Sequence, residues 1–337
     1  MAGVFERFLH RVYLQNYTLA QNSFELESIL YNKAKQNKYS VLITGLARSG
    51  TTALLNNFHS TGLFASLSYR DMPFLLAPNI WGKREFFKVK MKNRLHDDNL
   101  LIGSESPEAL DEFFWKVYLK PSYYSANTLP IQELDDWQVE KYKKYINLVC
   151  HAYSKEFFLS KNNNSVLRLR SIIEHNVFNK IFLLFRNPLD HASSLLKLHI
   201  KFSEVQKKDG YVLEYFNFLG HHEFGLNQKP FLLNPEAHER LKMFSKFELN
   251  YWLLIWFSYY KYISDNFLNA LIFIDFDSFC LDSKAVMDHL FSEIEISFSA
   301  ALNKKYIPSK YESLNYDEKI LNECLLVYDW LKSRLIE

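Results

Sequence analysis

The sequence predicts an α/β chain built on a doubly wound parallel sheet, with helical insertions and a helical N-terminal segment. Two observations lead to this. Short apolar, β-branched runs alternate along the chain with segments of helical period. The first such run ends in a glycine-bounded loop that opens directly into a helix. Taken in order, residues 3–37 read as helix and close an N-terminal segment at residue 38. Tyr39 to Thr44 (YSVLIT) reads as a buried strand, Thr51 to His59 as a helix with Gly62 at its end, and Leu63 to Leu67 as a second strand. Residues 73–160 read as a mostly helical insertion, with Pro121 and Pro130 marking turns. Ser165 to Leu169 and Lys180 to Phe185 read as strands, the latter followed by a helix from Pro188 to about His199. Leu271 to Asp275 is the last strand, and 281–337 reads as C-terminal helices. No repeat, low-complexity stretch or Pro/Gly-rich linker interrupts the chain, so residues 1–337 are expected to form one domain with its core at 39–280.

Composition narrows the function classes. Forty Lys+Arg stand against 38 Asp+Glu, so the charge of +2 excludes a general nucleic-acid coat and leaves any anion site to a few placed residues. Cys150, Cys280 and Cys324 are far apart and form no CxxC, which indicates neither a disulfide framework nor a zinc ribbon and fits a cytoplasmic setting. The N-terminus breaks its apolar residues with Glu6, Arg7, His10 and Arg11, unlike a secretory signal. The longest strongly apolar run, Tyr251 to Phe257, is too short to span a bilayer. Val4, Phe5, Phe8, Leu9 and Val12 share one helical face, expected to pack on the domain, with peripheral membrane contact as the alternative.

Glycine is scarce, nine in the chain, yet Gly45 and Gly50 fall in one window. The segment Gly45-Leu-Ala-Arg-Ser-Gly-Thr-Thr52 lies between a strand and a helix, so its backbone N–H groups and the helix dipole face one point, as a phosphate site requires. Its spacing equals that of a nucleotide-triphosphatase P-loop, GxxxxGK[ST], but Thr51 stands where the lysine should be. The cation within the loop is Arg48 instead. A second anion site is expected at Phe185-Arg-Asn-Pro-Leu-Asp-His-Ala-Ser-Ser194, where Arg186 stands at a strand's carboxyl end and Ser194 follows two helical turns later. Two separated anion sites call for a ligand with two phosphate groups and no Walker lysine.

These residues resemble the sulfotransferases that use 3′-phosphoadenosine 5′-phosphosulfate (PAPS). GLARSGTT looks like their 5′-phosphosulfate loop, particularly the PRSGTT form of tyrosylprotein and many bacterial sulfotransferases. Arg186 and Ser194 match the pair that holds the 3′-phosphate, and Lys161, in Ser160-Lys-Asn-Asn-Asn, falls where the family keeps its catalytic lysine. The wording from Ser160 to Gly225 is especially like a bacterial branch, and the resemblance covers about residues 39–280. It implies a P-loop-like fold and transfer of a sulfuryl group from PAPS to a hydroxyl acceptor, a glycan or glycolipid. It further implies that Gly45, Arg48, Ser49, Gly50, Thr51 and Thr52 hold the 5′-phosphosulfate, that Lys161 stabilises the transferring group, and that no metal is required. The alternatives are a P-loop kinase or nucleotide triphosphatase, and a nucleotide-binding module without catalysis.

The proton acceptor is where the chain departs from the pattern. Cytosolic sulfotransferases place a histidine two residues after the lysine, where this chain has Asn163. Tyrosylprotein enzymes place a glutamate after the loop helix, where it reads Ser68-Tyr-Arg-Asp71. The remaining candidates are His96, whose ordinary pKa near 6.5 suits neutral pH, then Glu108, then Asp71. His221-His222-Glu223 lacks the spacing of a metal motif and is read as an acceptor-site or structural element. The aromatic stretch Phe244 to Tyr262 is read as core, and the basic cluster Lys83 to Arg94 as a solvated face or an acceptor-facing one.

Overall fold

The computed structural model describes residues 3–82, 92–93, 101–102, 106–108, 110–296, 306–307, 310–311 and 315–335. His96 and most of the basic cluster Lys83 to Arg94 lie outside them.

Five strands form the central sheet: β1 (Tyr39–Thr44), β2 (Phe64–Ala65), β3 (Phe157–Lys161), β4 (Lys180–Phe185) and β5 (Ile272–Asp275). They lie in the order β2-β3-β1-β4-β5, with every neighbouring pair parallel. The sheet is buried on both faces, which is why its strands are continuous apolar runs. Alternate residues divide between the faces, as the two-residue period of a strand requires. Val41, Ile43, Leu159, Phe182, Leu184 and Ile274 pack on one side with Leu54, Leu55 and Phe58 of the first loop helix. Leu42, Phe158, Ile181, Leu183, Phe185 and Phe273 pack on the other, against a much larger aromatic cluster.

The helices that matter below are α1 (Val4–Leu14), α2 (Tyr17–Leu30), α3 (Thr51–Ser60), α4 (Glu112–Tyr118), α5 (Asp136–Tyr153), α6 (Pro188–Lys208), α7 (Gly210–Leu219), α8 (Leu249–Asn266), α9 (Phe276–Leu281), α10 (Ser283–Glu293) and α11 (Glu318–Lys332). No described helix is long and apolar enough to cross a membrane. The aromatic stretch forms α8, with Trp252, Trp256, Tyr259 and Tyr260 buried in the core. Their polar atoms are satisfied: Tyr260 Oη donates to Leu184 O at 2.8 Å, and Trp256 Nε1 to Arg186 O at 3.3 Å. Thus α8 braces the carboxyl end of β4.

Several expectations are corrected. The single N-terminal helix is two, because Asn16 caps α2 by accepting from Leu19 N at 2.9 Å and breaks the chain there. The strand expected at Ser165 to Leu169 is a 3₁₀ turn, Asn163–Arg168, leading into a short helix, Leu169–Glu174; the strand lies earlier, at β3. Asn162 starts the turn by accepting from Asn164 N at 3.0 Å, and the apolar run is buried without being extended. Pro130 marks no turn but sits in a two-residue parallel pairing of Leu129–Pro130 with Phe231–Leu232. Finally, α1 packs through its other face. His10, Tyr13 and Leu14 are buried, and Arg7 and Arg11 pair with Asp209 and Glu214 at 2.8 Å each. The stripe Val4, Phe5, Phe8 and Val12 stays exposed.

Candidate active site

The order of strands creates the site. From β1 the chain winds one way to β2 and β3, then returns to β4 and β5 on the other side of β1. A crevice opens at such a switch point, outside the carboxyl ends of the strands. Three motif segments leave there from three adjacent strands. Lys161 ends β3, in register with Ile43 of β1; the glycine loop follows β1; Arg186 follows β4, whose Leu183 is in register with Thr44. Adjacent strands stand only about 5 Å apart, so residues as distant in sequence as Thr44 and Leu183 become neighbours.

The loop is held tightly. Gly45 has φ +148°, and a Cβ there would meet Leu184 O at 2.5 Å; Gly50, at φ +96°, has the Phe276 ring where a Cβ would go. Only glycine fits at either position. Arg48 also adopts the left-handed region, φ 74°, a conformation costly for a residue with a side chain. The first turn of α3 has no side-chain cap, leaving the arrangement that favours an anion. Ser49 and Thr51 are buried in the loop, and Thr51 Oγ1 donates to Asn163 Oδ1 at 3.3 Å.

The second segment is joined to the loop directly. Arg48 Nε donates to Ser194 Oγ at 3.1 Å, and His191 Nε2 donates to Ala47 O at 2.7 Å. His191 is held neutral: burial, with the charges of Arg186 and Arg48, pushes its pKa down to about 3 against the Ala47 bond. It stands three residues before Ser194 on the same face of α6, within the electrostatic reach of both guanidinium groups. Arg186 is almost wholly buried, with Nε 3.9 Å from Asp277 Oδ1 and its guanidinium carbon 5.9 Å from the centre of the Phe276 ring. That ring also covers Gly50, so Phe276 touches both phosphate-type segments. Asn187 caps α6 by accepting from Leu189 N and Asp190 N.

At the other flank, Lys161 Nζ lies 3.6 Å from Glu108 Oε1, and both side chains are 6% exposed. Tyr69 Oη donates to Glu108 Oε2 at 3.4 Å. Asp71, by contrast, is committed to structure. Its Oδ2 accepts from Ser68 N at 2.8 Å and Tyr153 Oη at 2.6 Å, and Arg70 Nε lies 3.8 Å from Oδ1. Through these bonds it caps a 3₁₀ turn.

Phe276 and Asp277 were missed in sequence. The available signal was Asp275-Phe-Asp at the carboxyl end of a strand, the place where parallel sheets put ligands. A polar cleft of about 510 Å³, lined by Lys38, Lys141, Lys144 and Asn179, lies instead at the amino ends of β1 and β4, remote from these groups. Among the described residues no cluster of His, Cys, Asp and Glu could hold a metal ion.

No family model matches the sequence, and no curated protein is significantly similar to it. Similarity appears at the level of the fold. Sulfotransferase STF9 from Mycobacterium avium superposes with a TM-score of 0.55 at 13% identity, covering 96% of this chain and 84% of that one. Sulfotransferase STF1 from Mycobacterium tuberculosis H37Rv gives 0.52 at 11% identity, covering 98% and 86%.

Proposed function

We propose that this chain, which has the fold of those bacterial sulfotransferases, is itself a sulfotransferase that moves a sulfuryl group from PAPS to a hydroxyl acceptor. The observation that carries the reading is the Arg48–Ser194 bond with neutral His191 beside it, which joins the two phosphate-type segments around one crevice. A ligand bearing phosphate at both ends of an adenosine matches two such segments; a triphosphate does not need the second. In this reading the backbone of Gly45 to Thr52, with Arg48, Ser49, Thr51 and Thr52, holds the 5′-phosphosulfate. Arg186 and Ser194 hold the 3′-phosphate, with Asp277 as the counter-ion that phosphate must outcompete. Lys161 places a cation where charge develops on the leaving oxygen and the equatorial sulfuryl oxygens, an interaction strongest in the transition state. Glu108 is a positioning residue in this scheme: it pairs with Lys161 and directs it, both side chains being buried. The acceptor class carried by the resemblance is a glycan or glycolipid hydroxyl. Sulfuryl transfer carries less charge than γ-phosphoryl transfer, so the proposal includes no metal.

Calorimetric titration with adenosine 3′,5′-bisphosphate and, separately, with magnesium-ATP tests the donor. A labelled-sulfate screen over glycans and phenols then tests transfer. Preference for the bisphosphate is expected. Binding of magnesium-ATP alone, with turnover, would replace this reading by a nucleotide triphosphatase; binding of the bisphosphate with no transfer to any acceptor would leave a non-catalytic module.

A further inference from the structure

The His221-His222-Glu223 segment, which the scheme above does not use, stands at the lysine flank of the crevice. Its two histidines have different fates. His222 is buried, and its Nδ1 donates to Asn227 O at 3.0 Å; burial lowers its pKa to about 4, so it stays neutral and holds the loop. The His221 ring is only partly covered, and its Nδ1 lies 3.5 Å from Glu223 Oε1. Glu223 is mostly covered, its side chain 9% exposed; burial alone would raise its pKa, but His221 and then the Lys161 charge lower it. The backbone of the segment is tied to the site as well. Asn164 Nδ2, three residues after Lys161, donates to Gly220 O at 3.1 Å, and Asn227 Nδ2 donates to His221 O at 2.9 Å. Asn163, next to Asn164, accepts from Thr51 of the glycine loop.

We propose that His221, oriented by Glu223, is the base that takes the proton of the acceptor hydroxyl. This deepens the sulfotransferase reading and rests on it. In the step, the acceptor oxygen forms a bond to sulfur while the bond from sulfur to the 5′-phosphate oxygen breaks. The electron pair leaves with adenosine 3′,5′-bisphosphate, and the hydroxyl proton passes to His221 Nε2. Glu223 Oε1 accepts from Nδ1–H, fixes that tautomer and stabilises the imidazolium that forms. Glu108 is less suited, because both its oxygens are engaged, by Lys161 and Tyr69, and protonating it would leave the buried ammonium without its counter-charge.

The test uses the full chain with PAPS, following release of adenosine 3′,5′-bisphosphate with water and with phenol as acceptors, beside calorimetry of the bisphosphate. His221→Asn is expected to lower kcat by about 10²–10⁴-fold with bisphosphate affinity unchanged, and to abolish the acidic limb of the kcat profile that reports the base. In Glu223→Gln, ¹⁵N resonances of His221 are expected to show loss of the Nδ1–H tautomer, a readout independent of turnover. Unchanged kcat and pH profile in His221→Asn, or an unchanged tautomer in Glu223→Gln, overturns the proposal. Failure of the wild-type chain to bind the bisphosphate overturns the sulfotransferase reading instead, so the two failures are distinguishable.

Discussion

Arg186 decides whether the second segment reads a phosphate. A charge-assisted hydrogen bond is worth about 1.5–3 kcal/mol, so Arg186→Ala is expected to weaken adenosine 3′,5′-bisphosphate by roughly 10- to 100-fold. Adenosine 5′-phosphate, which lacks the group facing it, should be nearly unaffected; equal losses in calorimetry would remove the 3′-phosphate assignment. Lys161 makes a different demand. Its partner charge develops during transfer, so Lys161→Ala should lower kcat more than donor affinity, and a loss confined to affinity would contradict its role. Arg186 was legible in sequence because a cation just past an apolar strand is a local pattern, whereas Lys161 was legible only through the family resemblance, its strand having been placed at Ser165 to Leu169. Glu108 was legible only as a carboxylate among several, and its pairing with Lys161 appears only once residues 53 positions apart are brought together.

At the scale of elements, the strand–loop–helix from β1 to α3 is the rigid part of the site. Gly50→Ala places a side chain in the left-handed region and against Phe276, so a loss of at least about 1–2 kcal/mol is expected from the backbone alone, read from the denaturation midpoint. Helix α1 gives the opposite contrast. Tyr13 is buried against Phe74 and Phe113, and Tyr13→Ala should cost about 3–5 kcal/mol. Phe5→Ser and Phe8→Ser on the exposed stripe should change stability by no more than about 0.5 kcal/mol. The amphipathic pattern of α1 was visible in sequence, but which side faced inward was not. Arg7 and Arg11 pair with Asp209 and Glu214, and Tyr13 packs in the core, so this side of α1 faces inward. The turn at Asn163–Arg168 was misread as a strand for a similar reason: apolar residues report burial, and burial does not specify extension.

At the scale of the molecule, four histidines among the described residues are buried neutral: burial lowers His10, His199 and His222 to about 4 and His191 to about 3. The unfolded chain binds their protons below about pH 6.5 while the native one does not, so this contribution is present above that pH and is lost as pH falls toward 3–4. Glu27 and Asp111, raised by burial, act with the opposite sign and flatten the profile. His191→Asn isolates one group: between pH 6.5 and about 3 the stability–pH slope from urea titrations should fall by about one proton. An unchanged slope would mean that His191 is not buried neutral. The same neutrality keeps a third positive charge away from Arg48 and Arg186, so His191 adds no repulsion among the side chains of the crevice.

The linear order of residues by itself determined the parallel α/β class, the glycine loop and the two cationic segments, because each is written in short-range spacing and side-chain type. Tertiary structure alone decided that β3, β1 and β4 are neighbours, that Arg48 meets Ser194, and that a histidine–glutamate pair comes within electrostatic reach of Lys161. Those contacts depend on strand order and on which face each helix buries. Both are set by packing the whole chain around one sheet, a competition among distant segments that no local window contains.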